Sequence, residues 1–456
     1  MWSKDFRTAL VKKYNQPVPR YTSYPTVPFW KEEMNPAVWQ GHFIRRFHEQ
    51  NHTSGISLYI HLPFCESLCT YCGCNKKITT NHKVEDEYLL AIEKEWKLYR
   101  RLMKQTPVIR ELHLGGGTPT FFSPQNLRRL IETILKGSII HPNREFSIEG
   151  HPNNTTKEHL KVLYALGFRR ISYGVQDNDP YVQRVINRIQ PFENVKAAIE
   201  NAREEGFTSV NFDLIYGLPF QTVESIERTI NEVISLRPDR VAFYSYAHVP
   251  WTSKAQRLFD ETNLPGAEEK ISLYIKGKEL LLQNGYYDIG MDHFALPGDD
   301  LCRASKEGRL HRNFMGYTTQ NTGLLLGLGV SSISDAGYAY SQNHKTLHDY
   351  YAAINGGRLA TYRGYELSEE DISFRNYILD ISCRGKTVFY EKDKELLMQY
   401  VFPQLEGLDA DELIVWNKCG VQLTAIGHFF IRNVCAAFDI KLKVDTNSKT
   451  LFSKAI

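Results

Sequence analysis

From about residue 56 to residue 290 the chain alternates short runs of apolar and β-branched residues with longer segments whose apolar positions recur at helical spacing. The runs predict strands at Ile56–His61, Arg110–Leu114, Glu145–Glu149, Arg170–Val175, Val210–Ile215 and Arg240–Tyr246. Between them, Glu85–Met103, Gln125–Leu135, Lys157–Ala165, Phe192–Glu205 and Val223–Leu236 read as helices long enough to cross between parallel strands. The strands are apolar on both faces, as in a parallel sheet covered by helices. Pattern alone fits an open doubly wound sheet or a barrel. Nearly every strand, however, ends in a polar or glycine cluster: His61, Gly115–Gly117, Glu149, Gln176, Asp213 and Ala247–His248. Groups converging from successive strand ends favour a ring of strands around one mouth.

After Gly285 the pattern breaks into a loop-rich stretch from Gly290 to Gly337, followed by a helical segment around Lys345–Ile354. From Glu366 the chain is charged and helical at Ser368–Cys383 and Tyr390–Phe402. It closes with an apolar and polar segment, Val421–Phe438, of the kind found in winged-helix-like modules. A second, smaller domain is therefore expected from about residue 365. Neither internal repeats beyond the βα period nor low-complexity tracts stand out.

Composition narrows the function classes. Of 456 residues, 42% are hydrophobic and 23% charged, and 55 basic against 52 acidic side chains leave a net charge of +3, too little for a polyanion-binding surface. No run of Lys and Arg suggests nucleic acid. The longest apolar stretch, Leu324 to Val330, is broken by Gly327 and Gly329 and is far short of the roughly 18 residues of a membrane span. Residues Met1 to Arg20 lack the apolar core of a secretory signal. A cytoplasmic protein is expected, and nothing in the pattern demands more than a monomer.

Four of the eight cysteines, Cys65, Cys69, Cys72 and Cys74, crowd together, while Cys302, Cys383, Cys419 and Cys435 are scattered. Crowding of this kind reads as metal binding or redox chemistry, and the scattered thiols as small buried hydrophobes. The cluster follows the first strand as His61-Leu-Pro-Phe-Cys65-x3-Cys69-x2-Cys72-Gly-Cys74. Structural zinc is one reading, but zinc sites usually staple two separated ligand pairs, whereas these thiols share one loop. An iron–sulfur cluster accepts closely spaced ligands because each thiolate takes a different iron. With three ligands, one iron stays open to a small molecule.

C-x3-C-x2-C directly after the first strand of a repeated βα domain resembles the radical S-adenosylmethionine (SAM) superfamily. The resemblance extends further. KYNQPVPRYTSYPT, LYIHLPFC, CGCNK, HLGGGTPT, SYGVQD, NFDLIYGLP, YAHVP, GMDHFA, HRNFMGYTT and GLGVSSIS, in this order, are similar to the oxygen-independent coproporphyrinogen III oxidases of anaerobic haem biosynthesis. The resemblance covers nearly the whole chain. It implies an α/β fold with a partial (β/α)6 TIM-like radical SAM barrel. Residues 1–50 would be an extension covering the active site, 51–364 the barrel with substrate-binding loops, and 365–456 a mainly helical C-terminal domain.

The implied activity is oxidative decarboxylation of two propionates of coproporphyrinogen III to vinyl groups, giving protoporphyrinogen IX and carbon dioxide. The β-carbon of a propionate has no acidic hydrogen, so a base cannot start this reaction. In the family a 5′-deoxyadenosyl radical, made from SAM at a [4Fe–4S] cluster, abstracts a hydrogen atom. Loss of carbon dioxide then releases a further electron.

Matched motif by motif, the family's roles make Cys65, Cys69 and Cys72 cluster ligands and leave Cys74 free yet required. Tyr59, Gly116, Glu149 and Ile333 would surround the SAM on the open iron. Tyr71, Gly117, Thr118, Gln176, Arg188, Asp213 and Ala247 would surround a second SAM. The residue types suit the roles, since glycines admit close backbone approach and arginine forks a carboxylate. Taken singly, Glu149 and Asp213 equally read as solvated carboxylates, and the glycine run as a plain turn.

The implied substrate carries four propionates, for which Arg20, Arg303, Arg309 and Arg312 are candidates. His61, His293 and His311 are given no proton-transfer role. A low-potential electron donor is also implied. The rival within the superfamily is a haem chaperone without decarboxylase activity. Such relatives usually lack the fourth cysteine and the long amino-terminal segment, both present here. A zinc-stapled structural protein is the rival from another class.

Overall fold

A computed structural model describes residues 4–444 and 452–455. Residues 1–3, 445–451 and 456, the outer ends of the expected extension and C-terminal domain, lie outside the described residues. Seven strands run parallel: β1 (Ile56–Leu62), β2 (Val108–Gly116), β3 (Ile139–Gly150), β4 (Arg170–Gln176), β5 (Ser209–Tyr216), β6 (Arg240–Ser245) and β7 (Leu325–Leu328). Spatially β7 precedes β1, and antiparallel strands continue the sheet beyond β7 and β6, so the barrel is partial.

The six strands expected from the pattern are present, several of them longer than the pattern gave. All seven residues of β1 are buried, because helices cover one face and the barrel interior the other. Between the strands lie α1 (Val84–Met103), α2 (Pro124–Leu135), α3 (Lys157–Ala165), α4 (Phe192–Glu205) and α5 (Val223–Leu236). Their boundaries follow local chemistry. Ser123, Thr156 and Thr222 cap α2, α3 and α5 by accepting backbone N–H bonds, and acidic residues 85–87 with Arg100 and Arg101 complement the dipole of α1. Gly206, at φ +105°, ends α4.

The loop-rich expectation for Gly290 to Gly337 needs correction. That stretch contains β7, the antiparallel strands His293–Ala295 and Ile333–Asp335, a helix at Asp300–Lys306 and the hairpin His311–Asn313/Gly316–Thr318. Its elements are too short for periodicity to show, and Gly323, Gly327 and Gly329 mark close approaches rather than loops. A Cβ at Gly329 (φ +95°) would lie 2.5 Å from Tyr88 Oη and 2.7 Å from the His61 carbonyl oxygen.

The C-terminal part consists of α6 (Glu369–Arg384), Phe402–Ala410, Ile431–Ala437 and a three-stranded antiparallel sheet of Lys386–Val388, Gly420–Leu423 and Ile414–Asn417. The helix expected at Tyr390–Phe402 is irregular there and regular only from Phe402 to Ala410. Leu10 and Val11 of the amino-terminal helix join the same apolar core as Phe374, Tyr377 and Phe438. Of the scattered cysteines, Cys302, Cys383 and Cys435 are buried as expected, but Cys419 is exposed at the tip of a hairpin. No helix among the described residues is long and apolar enough to cross a membrane.

Glu95 of α1 ties the main sheet beyond β7 to its helical cover. Its Oε2 accepts the Gly329 N–H and the Tyr350 hydroxyl, each at 2.7 Å, and its Oε1 accepts the Asn343 amide at 2.6 Å. Every partner is a donor, so an amide at position 95 would set N–H against N–H. Glu95→Gln is expected to destabilise the fold by about 2–4 kcal/mol. Denaturant unfolding monitored by circular dichroism checks this; an unchanged midpoint would show that the network does not stabilise the sheet.

Candidate active site

The cysteine loop leaves the end of β1 and is stitched to its surroundings by backbone bonds. Lys77 N–H donates to the Pro63 carbonyl at 2.8 Å and Thr79 N–H to that of Cys65 at 2.9 Å. Gly117 N–H donates to Leu62 at 2.8 Å and Thr118 N–H to Phe64 at 3.0 Å. The glycine run after β2 thus holds the loop entry. A Cβ at Gly117 would stand 2.6 Å from the Pro63 carbonyl oxygen, so only glycine allows the approach.

The loop opens onto a cavity of about 500 Å³ at the carboxyl ends of the strands. Cys65, Cys69, Cys72 and Cys74 line it together with Tyr71, Gly116, Gly117, Thr118, Glu149, Gln176, Arg188 and Asp213. Tyr59, Ala247 and Ile333 are not among its lining residues. Tyr59 is buried, its ring stacked on His113 at 5.9 Å and its hydroxyl 3.0 Å from His61 Nδ1. Because His61 Nε2 lies 2.9 Å from the Asn75 carbonyl and donates to it, Nδ1 is the acceptor for Tyr59, and His61 braces the strand against the loop. The Ala247 carbonyl accepts from Gln256 Nε2 at 3.2 Å, and the same nitrogen donates to the Tyr71 carbonyl at 2.9 Å. Ile333 stands beside Gly327, the register partner of Tyr59.

The thiols sit among donors and cations. Thr118 Oγ1 donates to Cys65 Sγ at 3.3 Å, Arg188 Nη1 approaches Cys69 Sγ at 3.8 Å, and Lys76 Nζ donates to the Cys72 carbonyl at 2.9 Å. A hydrogen bond from Cys74 holds the Cys72 thiol down at about 6, and the same contact pushes Cys74 well up. Among the described residues no three His, Cys, Asp or Glu side chains stand close enough to hold one metal ion. A single-zinc site would need such convergence, whereas a cubane asks each thiolate for a separate iron.

Opposite the thiols are two carboxylates. Burial pushes Glu149 up, but His113 Nε2 at 3.4 Å and the Gly116 N–H at 3.1 Å outweigh it and hold the group below its ordinary range. Asp213 accepts the Ser172 hydroxyl at 2.9 Å and is pushed up to about 7, first by burial and then by the charge of Glu149. A cationic ligand between them would relieve both effects. The guanidinium of Arg188 is fixed by the Gly174 carbonyl at 2.6 Å and Gln190 Oε1 at 3.2 Å.

Comparison with known proteins agrees with this architecture. A profile of the radical SAM superfamily matches residues 59–233. The oxygen-independent coproporphyrinogen III oxidase of Escherichia coli K12 is 40% identical over 96% of this chain and 96% of its own length. The chain belongs to the oxygen-independent coproporphyrinogen III oxidase family. Family members from Synechocystis (38% identical, 99% of this chain and 98% of the relative) and Pseudomonas aeruginosa (38%, 96% and 95%) agree. The solved structure of the Escherichia coli family member, a radical SAM enzyme, superposes with a TM-score of 0.87 at 38% identity, covering 97% of this chain and 99% of that one. Membership implies a [4Fe–4S] cluster and SAM, and a lining of loop thiols, hydrogen-bond donors and cations fits them. A superfamily haem chaperone is not favoured.

Sequence reasoning missed His113, Ser172 and Gln256, as well as Tyr244, which also lines the cavity. Alternation along β2 puts His113 on the face of Gly115, in register with Tyr59 and Ser147, so the signal for that residue was present. Gln256 lies in a connection without regular pattern, and nothing local marks it. Gly117→Ala is expected to displace the cysteine loop and weaken SAM binding about tenfold or more with unchanged far-UV circular dichroism. Gly73→Ala, where a Cβ meets nothing within 4 Å, should leave binding intact. Equilibrium binding of SAM to the cluster-loaded variants decides this, and equal affinities would remove the constraint.

Proposed function

We propose that the protein catalyses the oxygen-independent oxidative decarboxylation of two propionate side chains of coproporphyrinogen III to vinyl groups, giving protoporphyrinogen IX for haem biosynthesis. The observation that carries this reading is the single cavity uniting the four loop cysteines with Glu149, Gln176 and Asp213 from successive strands and with Arg188. The likeness to coproporphyrinogen III oxidases over the whole chain supports the substrate.

In this reading Cys65, Cys69 and Cys72 ligate the cluster and leave one iron open, while Cys74 remains a thiol. When bound, cluster and SAM together supply a low-potential electron and a carbon-centred agent able to take a hydrogen atom from an unactivated carbon. The protein's own part is positioning. Glu149, fixed by His113 and Gly116, offers a carboxylate to the amino or ribose groups of one SAM, near Tyr59 and Ile333. Arg188 offers its guanidinium to the carboxylate of a second, near Tyr71, Thr118, Gln176, Asp213 and Ala247. Raised to about 7, Asp213 is the carboxylate that a bound sulfonium or ammonium would ionise. The same reading makes the protein a cytoplasmic monomer served by a low-potential electron donor.

Anaerobic incubation of the reconstituted protein with coproporphyrinogen III, SAM and a low-potential reductant, followed by chromatography, should yield protoporphyrinogen IX. Tetrapyrrole left unchanged by protein with full cluster content would refute the activity. Cys69→Ser should lose cluster absorbance together with SAM cleavage, whereas Cys74→Ser should keep the cluster and lose product. A cluster-loaded Cys69→Ser overturns the ligand set, and a fully active Cys74→Ser removes the role of that thiol. Equilibrium dialysis should find two SAM per cluster-loaded chain; one per chain counts against the second site.

A further inference from the structure

The four arginines considered for the propionates have different surroundings. Arg303 and Arg309 are exposed and paired with Asp300 and Glu307. Arg20 donates to the Ser245 carbonyl and stands 5.9 Å over the ring of Tyr244. Arg312 is buried, with 6% of its surface exposed, and its Nε and Nη1 find no hydrogen-bond partner. It makes no ion pair among the described residues, and its guanidinium stacks over the ring of Tyr317 at 4.8 Å. A buried cation without a counter-charge is costly to the fold. Such a cost is tolerated where a ligand supplies the missing anion.

Arg312 lines a chamber of about 390 Å³ enclosed by the Tyr21–Tyr24 segment, the hairpin at 311–318, the starts of β1 and β7, and α6. Its walls carry four arginines and two aspartates. Both aspartates are already engaged, Asp335 with Arg375 at 3.6 Å and Asp380 with Arg384. Arg46 pairs with Glu49 outside the chamber. The charge of Arg312 is the one left over.

The hairpin that carries Arg312 also reaches towards the cysteine cavity. Asn313 lines both the chamber and a small cavity inside the barrel, and that inner cavity shares Glu149 and Asp213 with the cysteine cavity. Phe314 meets Tyr59 edge to face at 5.1 Å.

We propose that Arg312 seats a carboxylate of the substrate, a propionate of the tetrapyrrole other than the one reacting. The assignment rests on the functional reading above. The unpaired positive charge of Arg312 at the chamber wall attracts a carboxylate and thereby selects a polycarboxylate over a neutral macrocycle.

The test is fluorescence titration of the cluster-loaded protein with coproporphyrin III, the stable oxidised form of the substrate, and with its tetramethyl ester. Arg312→Gln should weaken coproporphyrin III binding about tenfold to a hundredfold and leave the weaker binding of the ester unchanged. Arg312→Met, apolar and similar in volume, gives the same readout should the glutamine variant not fold. Removing an unpaired buried cation should not lower Tm, and coproporphyrin III should raise Tm more in the unmodified protein than in the variant. Unchanged coproporphyrin III affinity, or a parallel loss for the ester, overturns the assignment. Unmodified protein that neither binds coproporphyrin III nor decarboxylates coproporphyrinogen III overturns the functional reading instead.

Discussion

The arrangement depends on four backbone hydrogen bonds around one turn. Leu62, Pro63, Phe64 and Cys65 accept N–H bonds from Gly117, Lys77, Thr118 and Thr79. Main-chain groups carry this stitching, so it fixes where the loop leaves the sheet whatever side chains the loop bears. The thiols can then belong to a segment without regular structure and still meet Glu149 and Asp213 across the cavity. The cost falls on the glycine run, where any Cβ at position 117 would collide with a carbonyl.

Electrostatics separates the two ends of the barrel. Near the amino ends of the strands most interior charges are paired, Arg312 excepted. Arg170 pairs with Glu145 at 2.8 Å and Arg240 with Asp299 at 2.7 Å, while Glu111 accepts the hydroxyls of Ser57 and Thr318. Burial pushes Glu145 up, yet Arg170 and Arg240 bring it down to about 2. The hairpin at 311–318 plugs this layer through Thr318 and contributes Phe314 against Tyr59. At the carboxyl ends Glu149 and Asp213 face the same cavity as the thiols, and after burial the charge of Glu149 helps push Asp213 up. The cysteine cavity lies at the usual functional end of an α/β barrel.

Much of the site could be read from the chain because its residues fall at strand ends. A strand end is a local signal, legible wherever an apolar run stops at a glycine or a charge. Cys65 to Cys74, Gly116, Glu149 and Gln176 all sit at such stops or just before them. Residues inside strands were harder to see. His113 and Ser172 lie within β-runs whose neighbours are apolar, and only the register between adjacent strands brings them to Glu149 and Asp213. Leu325–Leu328 falls inside the stretch expected to be loop-rich, because a strand of four residues is too short to show a period.

The sequence by itself determined the six βα repeats, the parallel sheet, the thiol-bearing loop and the family, since each is written in contiguous residues or in motif order. Tertiary structure alone decided that β7 joins the sheet beside β1, that Cys419 is exposed, and which arginine lacks a counter-charge. Arg303, Arg309 and Arg312 look alike as neighbours in one stretch of chain. Their difference is one of desolvation and pairing, and both depend on which distant segments close around a side chain. Long-range packing supplies those segments, and local pattern has no access to them.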